Sequence, residues 1–178
     1  MAEQKMLTNK ESIHILIIDD QPDNLRFLSN ILTTEGYKVQ RAISGEMALN
    51  AAFASPPDLI LLDVVMPKMN GYEVCERLKS HGKTHEIPVI FLSALNETFH
   101  KVKAFEIGGV DYITKPFQVE EVLVRIASQL TIQQLSKQLK EQNAQLQLEV
   151  EVRNQTEQAL RESKSRLQKL AANIPGVI

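Results

Sequence analysis

The first two thirds of the chain alternate between short apolar runs and longer amphipathic segments. Runs rich in isoleucine, leucine and valine lie at 13–18, 59–62 and 88–92, with weaker ones at 39–42 and 110–113. The amphipathic segments between them, each ending at or near a glycine or proline, cover 24–35, 46–54, 72–80 and 98–107. Short apolar runs indicate buried strands, and a period of about 3.6 residues indicates helices. The pattern predicts five β-α units, with the fifth helix beginning after Pro116.

Five consecutive β-α units favour an α/β fold with a parallel sheet, because right-handed crossovers cover both faces of such a sheet with helices. In open sheets of this type, ligands bind beyond the carboxyl ends of the strands where the winding reverses, and the expected arrangement holds if the strand order is the doubly wound, flavodoxin-like 2-1-3-4-5. The first predicted strand runs into Asp19 and Asp20, and the third ends at Asp63. These three carboxylates should therefore meet in one crevice.

Three carboxylates at one crevice repel each other, and raised pKa values or a bound cation relieve the repulsion. A small set of hard oxygen ligands favours Mg²⁺, which keeps several waters and accepts a phosphate. A single aspartate at a strand end commonly starts a turn, but this explains an adjacent pair plus a third residue less well. Ser93 and Lys115, at the ends of the fourth and fifth predicted strands, add a hydroxyl and an ammonium to the same rim.

The composition of the chain changes near residue 117. Twelve of the 14 glycines and prolines lie at or before Pro116, and all nine aromatic residues lie at or before Phe117. Glutamine, glutamate, lysine and leucine dominate from there to residue 174, with no helix breaker. This composition predicts one long helix.

The long predicted helix carries a heptad pattern from Ile132 onward. One seam position is apolar at five of six occurrences, namely Ile132, Leu139, Leu146, Leu160 and Leu167, whereas its partner position is apolar at two of six. A helix of this length needs to bury such a stripe. We expect a parallel two-stranded coiled coil, and hence a homodimer, with a weak centre. The alternative is a helix that folds back or joins an antiparallel bundle.

Charge and cysteine content narrow the class of protein. A length of 178 residues is enough for one domain of ordinary size and a further, shorter segment. The formal net charge of −2 argues against a protein that binds nucleic acid through an overall positive potential. A single cysteine cannot form an internal disulfide, which fits a reducing cytoplasmic setting. The early apolar run at 13–18 is too short to span a bilayer. We expect a cytoplasmic protein that neither binds nucleic acid nor inserts into a membrane.

Five short motifs resemble the receiver domain of two-component response regulators. They occur in the family's order and at similar spacing within residues 12–130: Asp19-Asp20, DVVMP at 63–67, Asn70-Gly71, Ser93-Ala94 and YITKPF at 112–117. The resemblance implies that Asp63 accepts a phosphoryl group from a histidine kinase or phosphotransfer protein. It also implies a cis peptide bond before Pro116.

The resemblance further assigns roles to the other motif residues. Asp20 and Asp63 would hold Mg²⁺ directly, together with the backbone carbonyl of Val65, and Asp19 would do so largely through water. Lys115 would balance the charge of the phosphoryl group. Ser93 and Tyr112 match the family's switch pair, and 98–129 would form the output surface. Val65 and Leu95 flank the expected route of an attacking water without orienting it, so we expect a long-lived phosphoryl-aspartate.

We therefore predict a phosphorylation-dependent response regulator, not itself an enzyme, that signals through a dimeric coiled coil to an output domain. Its predicted parts are a flexible segment at 1–11, a receiver at 12–130, a signalling helix at 131–174 continuous with the fifth receiver helix, and the start of a downstream domain at 175–178. The chain end resembles the lead-in to a PAS domain. One alternative is a dimerisation scaffold that is not phosphorylated. The other is an aspartyl-phosphate phosphohydrolase, disfavoured because its two acids normally lie two residues apart.

Overall fold

The computed structural model describes residues 10–94 and 104–173 and contains a five-stranded parallel sheet. The strands are β1 His14–Ile18, β2 Lys38–Ala42, β3 Leu59–Asp63, β4 Val89–Ala94 and β5 Asp111–Lys115. Their order is β2-β1-β3-β4-β5, which confirms the predicted flavodoxin-like topology. The observed strand bounds differ from the predicted ones by no more than two residues.

Helices connect the strands. A 3-10 turn at Lys10–Ser12 precedes β1, and the described helices are α1 Pro22–Thr34, α2 Gly45–Ala54, α3 Gly71–Lys79 and α4 Val119–Ala172. Side chains cap two of them: the Ser44 hydroxyl accepts from the N–H of Met47 at α2, and Asn70 and Glu73 form a reciprocal capping box at α3. The predicted fourth helix, 98–107, falls mostly outside the described residues, where 104–106 are helical.

The sheet is buried on both faces. Successive side chains of a strand point to opposite faces, so Ile15 and Ile17 join the apolar cluster beneath α1 and the first turns of α4. Leu16 and Ile18 join the cluster on the α2 and α3 side. These four of the five side chains of β1 are fully buried. Since helices cover both faces, polar chemistry is left to the ends of the strands.

The chain divides into two compact units, residues 1–133 and 134–178. In its described part, the second unit is the continuation of α4, and every residue of it up to Asn173 is exposed. A long helix over this stretch was predicted and is confirmed. The expected flexible segment, 1–11, lies outside the described residues except for its last two positions. The expected start of a PAS domain, 175–178, lies wholly outside them.

Within 10–94 and 104–173, no helix combines the length and the apolar character that crossing a membrane requires.

Candidate functional site

Three carboxylates meet at the carboxyl end of the sheet. β1 and β3 are neighbours in parallel register, with Ile18 opposite Leu62, so the residues that follow or end these strands lie side by side. Asp19, Asp20 and Asp63 each place one oxygen within 4.8 Å of the others. Asp19 is fully buried and Asp63 is 3% exposed. The structure thus brings together the acidic residues that the sequence pattern put in one crevice.

Lys115 links two of these carboxylates from the end of β5. Its Nζ lies 2.9 Å from Asp19 Oδ2 and 3.0 Å from Asp63 Oδ2. Burial opposes its charge, but hydrogen bonds to Asp19 and Asp63 and the charges of both outweigh this effect and raise the pKa of Lys115. Lys115 therefore keeps its positive charge within the crevice. The following peptide bond, to Pro116, is cis, as the resemblance implies.

The surroundings of Asp63 disfavour the ionised form of its carboxyl group. Burial raises its pKa above the usual range, and the charge of Asp19 acts in the same direction. The hydrogen bond and charge of Lys115 oppose the shift, as does the backbone N–H of Val65, 3.5 Å from Oδ1. One lysine thus does not fully offset two buried carboxylates. A second positive charge would stabilise the ionised form of Asp63.

Two polar atoms of this crevice have no hydrogen-bond partner among the residues that the structure describes. They are Oδ1 of Asp20 and Oγ of Ser93, and both are buried. Unpaired buried polar atoms are rare in folded proteins and call for an explanation such as a bound ion or water. A free carboxylate oxygen beside two other carboxylates fits a hard divalent cation such as Mg²⁺. A free hydroxyl on the same rim fits an acceptor oxygen of a phosphoryl group.

The remaining predicted site residues lie around this crevice. Val65 is 64% exposed, next to the acidic cluster in sequence, whereas Leu95 falls outside the described residues. Ser93 on β4 stands opposite Thr114 of β5. Tyr112 of β5 is half-buried and meets the ring of Phe105 edge-on at 6.4 Å. The predicted output surface, 98–129, is described only from residue 104 onward.

Sequence reasoning missed two polar residues near these groups. Asn24, in the first turn of α1, donates from Nδ2 to Asp19 Oδ2 at 2.9 Å. Arg125 of α4 binds both carboxylate oxygens of Asp111, at 2.8 and 3.0 Å, and its guanidinium lies 5.5 Å from the centre of the Tyr112 ring. The position of Asn24 one helical turn beyond the acidic pair was the available signal. The spacing of Glu121 and Arg125 on α4 indicated only the ion pair that these two residues form within the helix, at 3.1 Å. No local pattern pointed to the contacts of Arg125 with Asp111 and Tyr112, because these residues lie on β5.

Curated relatives match between 65% and 76% of the chain. RpaA of Synechocystis, a DNA-binding dual master transcriptional regulator, is 44% identical over 116 residues, which are 65% of this chain and 48% of RpaA. A Vibrio cholerae protein named "Probable cyclic di-GMP phosphodiesterase" is 40% identical over 136 residues, 76% of this chain and 31% of that protein. The chain therefore spans about half or less of the length of these curated relatives.

Solved structures show the same likeness. The signal receiver domain of a signal transduction histidine kinase from Syntrophus aciditrophicus is 36% identical, with a TM-score of 0.58 over 67% of this chain and 88% of that one. The Vibrio cholerae chemotaxis protein CheY4 is 27% identical, with a TM-score of 0.63 over 65% and 97% of the two chains. The sequence profile named "Response regulator receiver domain" matches residues 15–127. The chain therefore belongs to the response regulator receiver domain family.

Proposed function

We propose that this chain is a phosphorylation-dependent signalling switch in which Asp63 accepts a phosphoryl group from a histidine kinase or phosphotransfer protein. One observation carries the proposal: the buried Asp63 carboxylate lies 3.0 Å from the Lys115 ammonium and within 4.8 Å of the other two acidic side chains. A nucleophile, a cation and free metal-ligand atoms are thus together at the open end of a rigid sheet. Receiver domains, the family to which the chain belongs, take phosphoryl groups from histidine kinases.

The transfer is a displacement at phosphorus. An oxygen of Asp63 forms the new P–O bond while the P–N bond to the donor imidazole breaks, and the imidazole keeps the electron pair of that bond. Lys115 supplies one of the positive charges that neutralise the oxygens of the moving group. Asp20, Asp63 and the carbonyl of Val65 would hold Mg²⁺, with Asp19 acting largely through water. When bound, the ion stabilises negative charge on the phosphoryl oxygens.

Ser93 and Tyr112 would convert phosphorylation into a change of surface. The Ser93 hydroxyl lacks a partner in the described structure, so it is available to donate to a phosphoryl oxygen. Its movement toward that oxygen would leave space for the half-buried ring of Tyr112 to turn inward. The signal would then pass from the crevice to the face formed by β5 and α4.

Intact-mass measurement tests the function. Incubation with Mg²⁺ and acetyl phosphate should add one phosphoryl group to the wild-type chain and none to Asp63→Asn. Asp23→Asn, which alters an exposed acid on α1, serves as the control and should be modified like wild type. Absence of any wild-type adduct, with kinase or small donor, would favour the unphosphorylated scaffold. Sustained release of phosphate from small esters would favour the phosphohydrolase.

We also propose that α4 forms a parallel coiled-coil dimer. The support is a seam of large apolar side chains that solvent reaches in the single chain, with Ile132 at 58%, Leu139 at 58%, Leu146 at 57%, Leu160 at 68% and Leu167 at 64% exposure. Pairing these residues across two helices would remove that apolar area from water. The central position, Arg153, interrupts the seam.

Sedimentation equilibrium tests this dimer with a matched pair of variants. Leu139→Lys with Leu146→Lys places charges on the seam and should raise the dimer dissociation constant by about 100-fold or more. Leu148→Lys with Gln155→Lys introduces the same two charges at exposed positions one heptad apart on the outer face of the helix and should leave the dimer intact. Equal effects of the two pairs would refute the assigned seam. A spin label at one position beside the seam, away from the middle of the helix, distinguishes the two helix directions. The two labels of a dimer lie close together if the helices are parallel and far apart if they are antiparallel.

The match covers only 48% of RpaA and 31% of the Vibrio cholerae relative, so most of each relative lies outside the stretch that it shares with this chain. RpaA is named for DNA binding and the Vibrio cholerae relative for a phosphodiesterase, so one receiver type is joined to different outputs. We propose that α4 connects the receiver of this chain to such an output domain. The chemistry of that domain follows from its own sequence rather than from the receiver.

A further inference from the structure

The carboxylate of Asp19 is surrounded by hydrogen-bond donors. Oδ1 accepts from the backbone N–H of Gln21 at 2.8 Å. Oδ2 accepts twice, from Asn24 Nδ2 at 2.9 Å and from Lys115 Nζ at 2.9 Å. Because the side chain is fully buried, these donors replace the water that would otherwise solvate its charge. One of its oxygens is therefore shared between a neutral amide and a mobile cation.

The two donors on Oδ2 differ in what else they can do. Lys115 also contacts Asp63, at 3.0 Å, and its long side chain can follow charge that develops there. Asn24 has a short side chain on the first turn of α1, and the same Nδ2 also donates to Gln21 Oε1 at 3.3 Å. That second contact fixes the orientation of the amide. Asn24 is thus a stationary donor, and Lys115 is a movable one.

Phosphoryl transfer would redirect Lys115. A phosphoryl group on Asp63 carries more negative charge than the carboxylate of Asp19, so the ammonium is attracted toward the phosphoryl oxygens. If Lys115 were the single donor to Asp19 Oδ2, this movement would leave a buried carboxylate oxygen without a hydrogen bond, which is unfavourable. Asn24 removes that obstacle because its hydrogen bond does not depend on the phosphoryl group.

We propose that Asn24 is a positioning residue for phosphoryl transfer: it keeps Asp19 Oδ2 hydrogen-bonded while Lys115 turns from Asp19 to the phosphoryl group on Asp63. The role rests on the proposed function of Asp63 and adds a residue to it. Asn24 contacts neither the donor nor the acceptor oxygen, so it acts through Asp19 and Lys115. The inference concerns the rate of transfer and not the capture of the metal ion.

Phosphorylation kinetics of the chain, residues 1–178, test this role. The phosphorylation rate is measured against phosphoramidate concentration at saturating Mg²⁺ for wild type, Asn24→Ala and Asn24→Asp. Asn24→Ala should lower the maximal rate about ten-fold with the half-saturating donor concentration unchanged, since the lost hydrogen bond matters in the transition state. Asn24→Asp, which has the same shape but places a second carboxylate against Asp19, should lower it further. Asn30→Ala, an exposed asparagine on the same helix, should match wild type.

Two further measurements separate this role from a structural one. Mg²⁺ affinity of the unphosphorylated chain, by calorimetry, should change by no more than about two-fold in Asn24→Ala, since Asp19 keeps its other donors. In ¹⁵N NMR spectra, a side-chain amide proton of Asn24 should stay protected from exchange both in the resting chain and with beryllofluoride on Asp63. Equal losses in rate and Mg²⁺ affinity, or loss of protection with beryllofluoride, would overturn the proposal.

The outcomes also separate this inference from the proposed function. If wild type gains no phosphoryl group on Asp63, the proposed function fails. If wild type is phosphorylated and Asn24→Ala reaches the same maximal rate, only the role of Asn24 fails.

Discussion

Lys115→Ala should destabilise the metal-free protein by about 3 kcal/mol, because removing one partner of a buried ion pair leaves uncompensated charge. The ammonium contacts two carboxylates that are almost completely buried, Asp19 and Asp63, and is itself 22% exposed. Urea unfolding in the presence of a chelator measures the change. Lys38→Ala, at an exposed position of β2, is the control and should lie within about 0.5 kcal/mol of wild type.

The loss in Lys115→Ala should depend on pH and on Mg²⁺. Burial already raises the pKa of Asp63, and loss of the lysine raises it further, so the folded state binds a proton more readily than the unfolded one. The free energy of unfolding of the variant then falls as pH rises from the unfolded-state pKa of Asp63 to its folded-state pKa. The difference in stability between wild type and variant shrinks as pH falls. Saturating Mg²⁺ should restore much of the stability, because the ion binds only the folded crevice. A deficit independent of both pH and Mg²⁺ would contradict this electrostatic account.

The same variant should phosphorylate slowly even when Mg²⁺ has restored its stability. A removed donor to developing oxyanion charge typically lowers a rate by about 100-fold or more. Comparing rates at matched folded fraction isolates this effect. A rate within about two-fold of wild type would show that the lysine contributes to folding and not to transfer.

Gly71→Ala should destabilise the protein by roughly 3 kcal/mol or more, since a β-carbon at this position would clash with backbone that cannot move away. It would meet the carbonyl oxygen of Asp63, well inside contact distance. The N–H of Gly71 also donates to the Val64 carbonyl at 2.9 Å, which ties the start of α3 to the loop after β3. Relief of the clash would displace that loop, so residual folded protein should also bind Mg²⁺ more weakly. Thermal unfolding and calorimetry measure the two effects.

Gly82→Ala is the matched control for this substitution. Gly82 is exposed, and a β-carbon there would have no heavy atom within 4 Å. The change should alter stability by no more than about 0.5 kcal/mol. Similar losses in both variants would mean that the glycines act through chain flexibility and not through the close approach at Asp63.

Much of the fold could be predicted from the sequence because its signals are local. Three strands, β1, β3 and β4, contain short apolar runs, and the weaker apolar signals of β2 and β5 were still recognisable between amphipathic segments, so the pattern located all five strands within two residues. β5 ends at Lys115, as predicted, and β4 continues one residue past the predicted end at Ser93, because Ala94 still pairs with Lys115 of β5. The convergence of the acidic residues followed from strand order, since carboxyl ends of adjacent parallel strands share one edge.

The sequence by itself determined the five β-α units, the acidic strand ends and the long heptad-bearing helix, because each is written in the spacing of nearby residues. Only the tertiary structure decided which donors surround each carboxylate. Lys115 reaches Asp19 across 96 residues of chain, and Asn24 reaches the same oxygen from a different element. Hydrogen bonds of 2.9 Å depend on how the strands and α1 pack, and no local pattern encodes that packing.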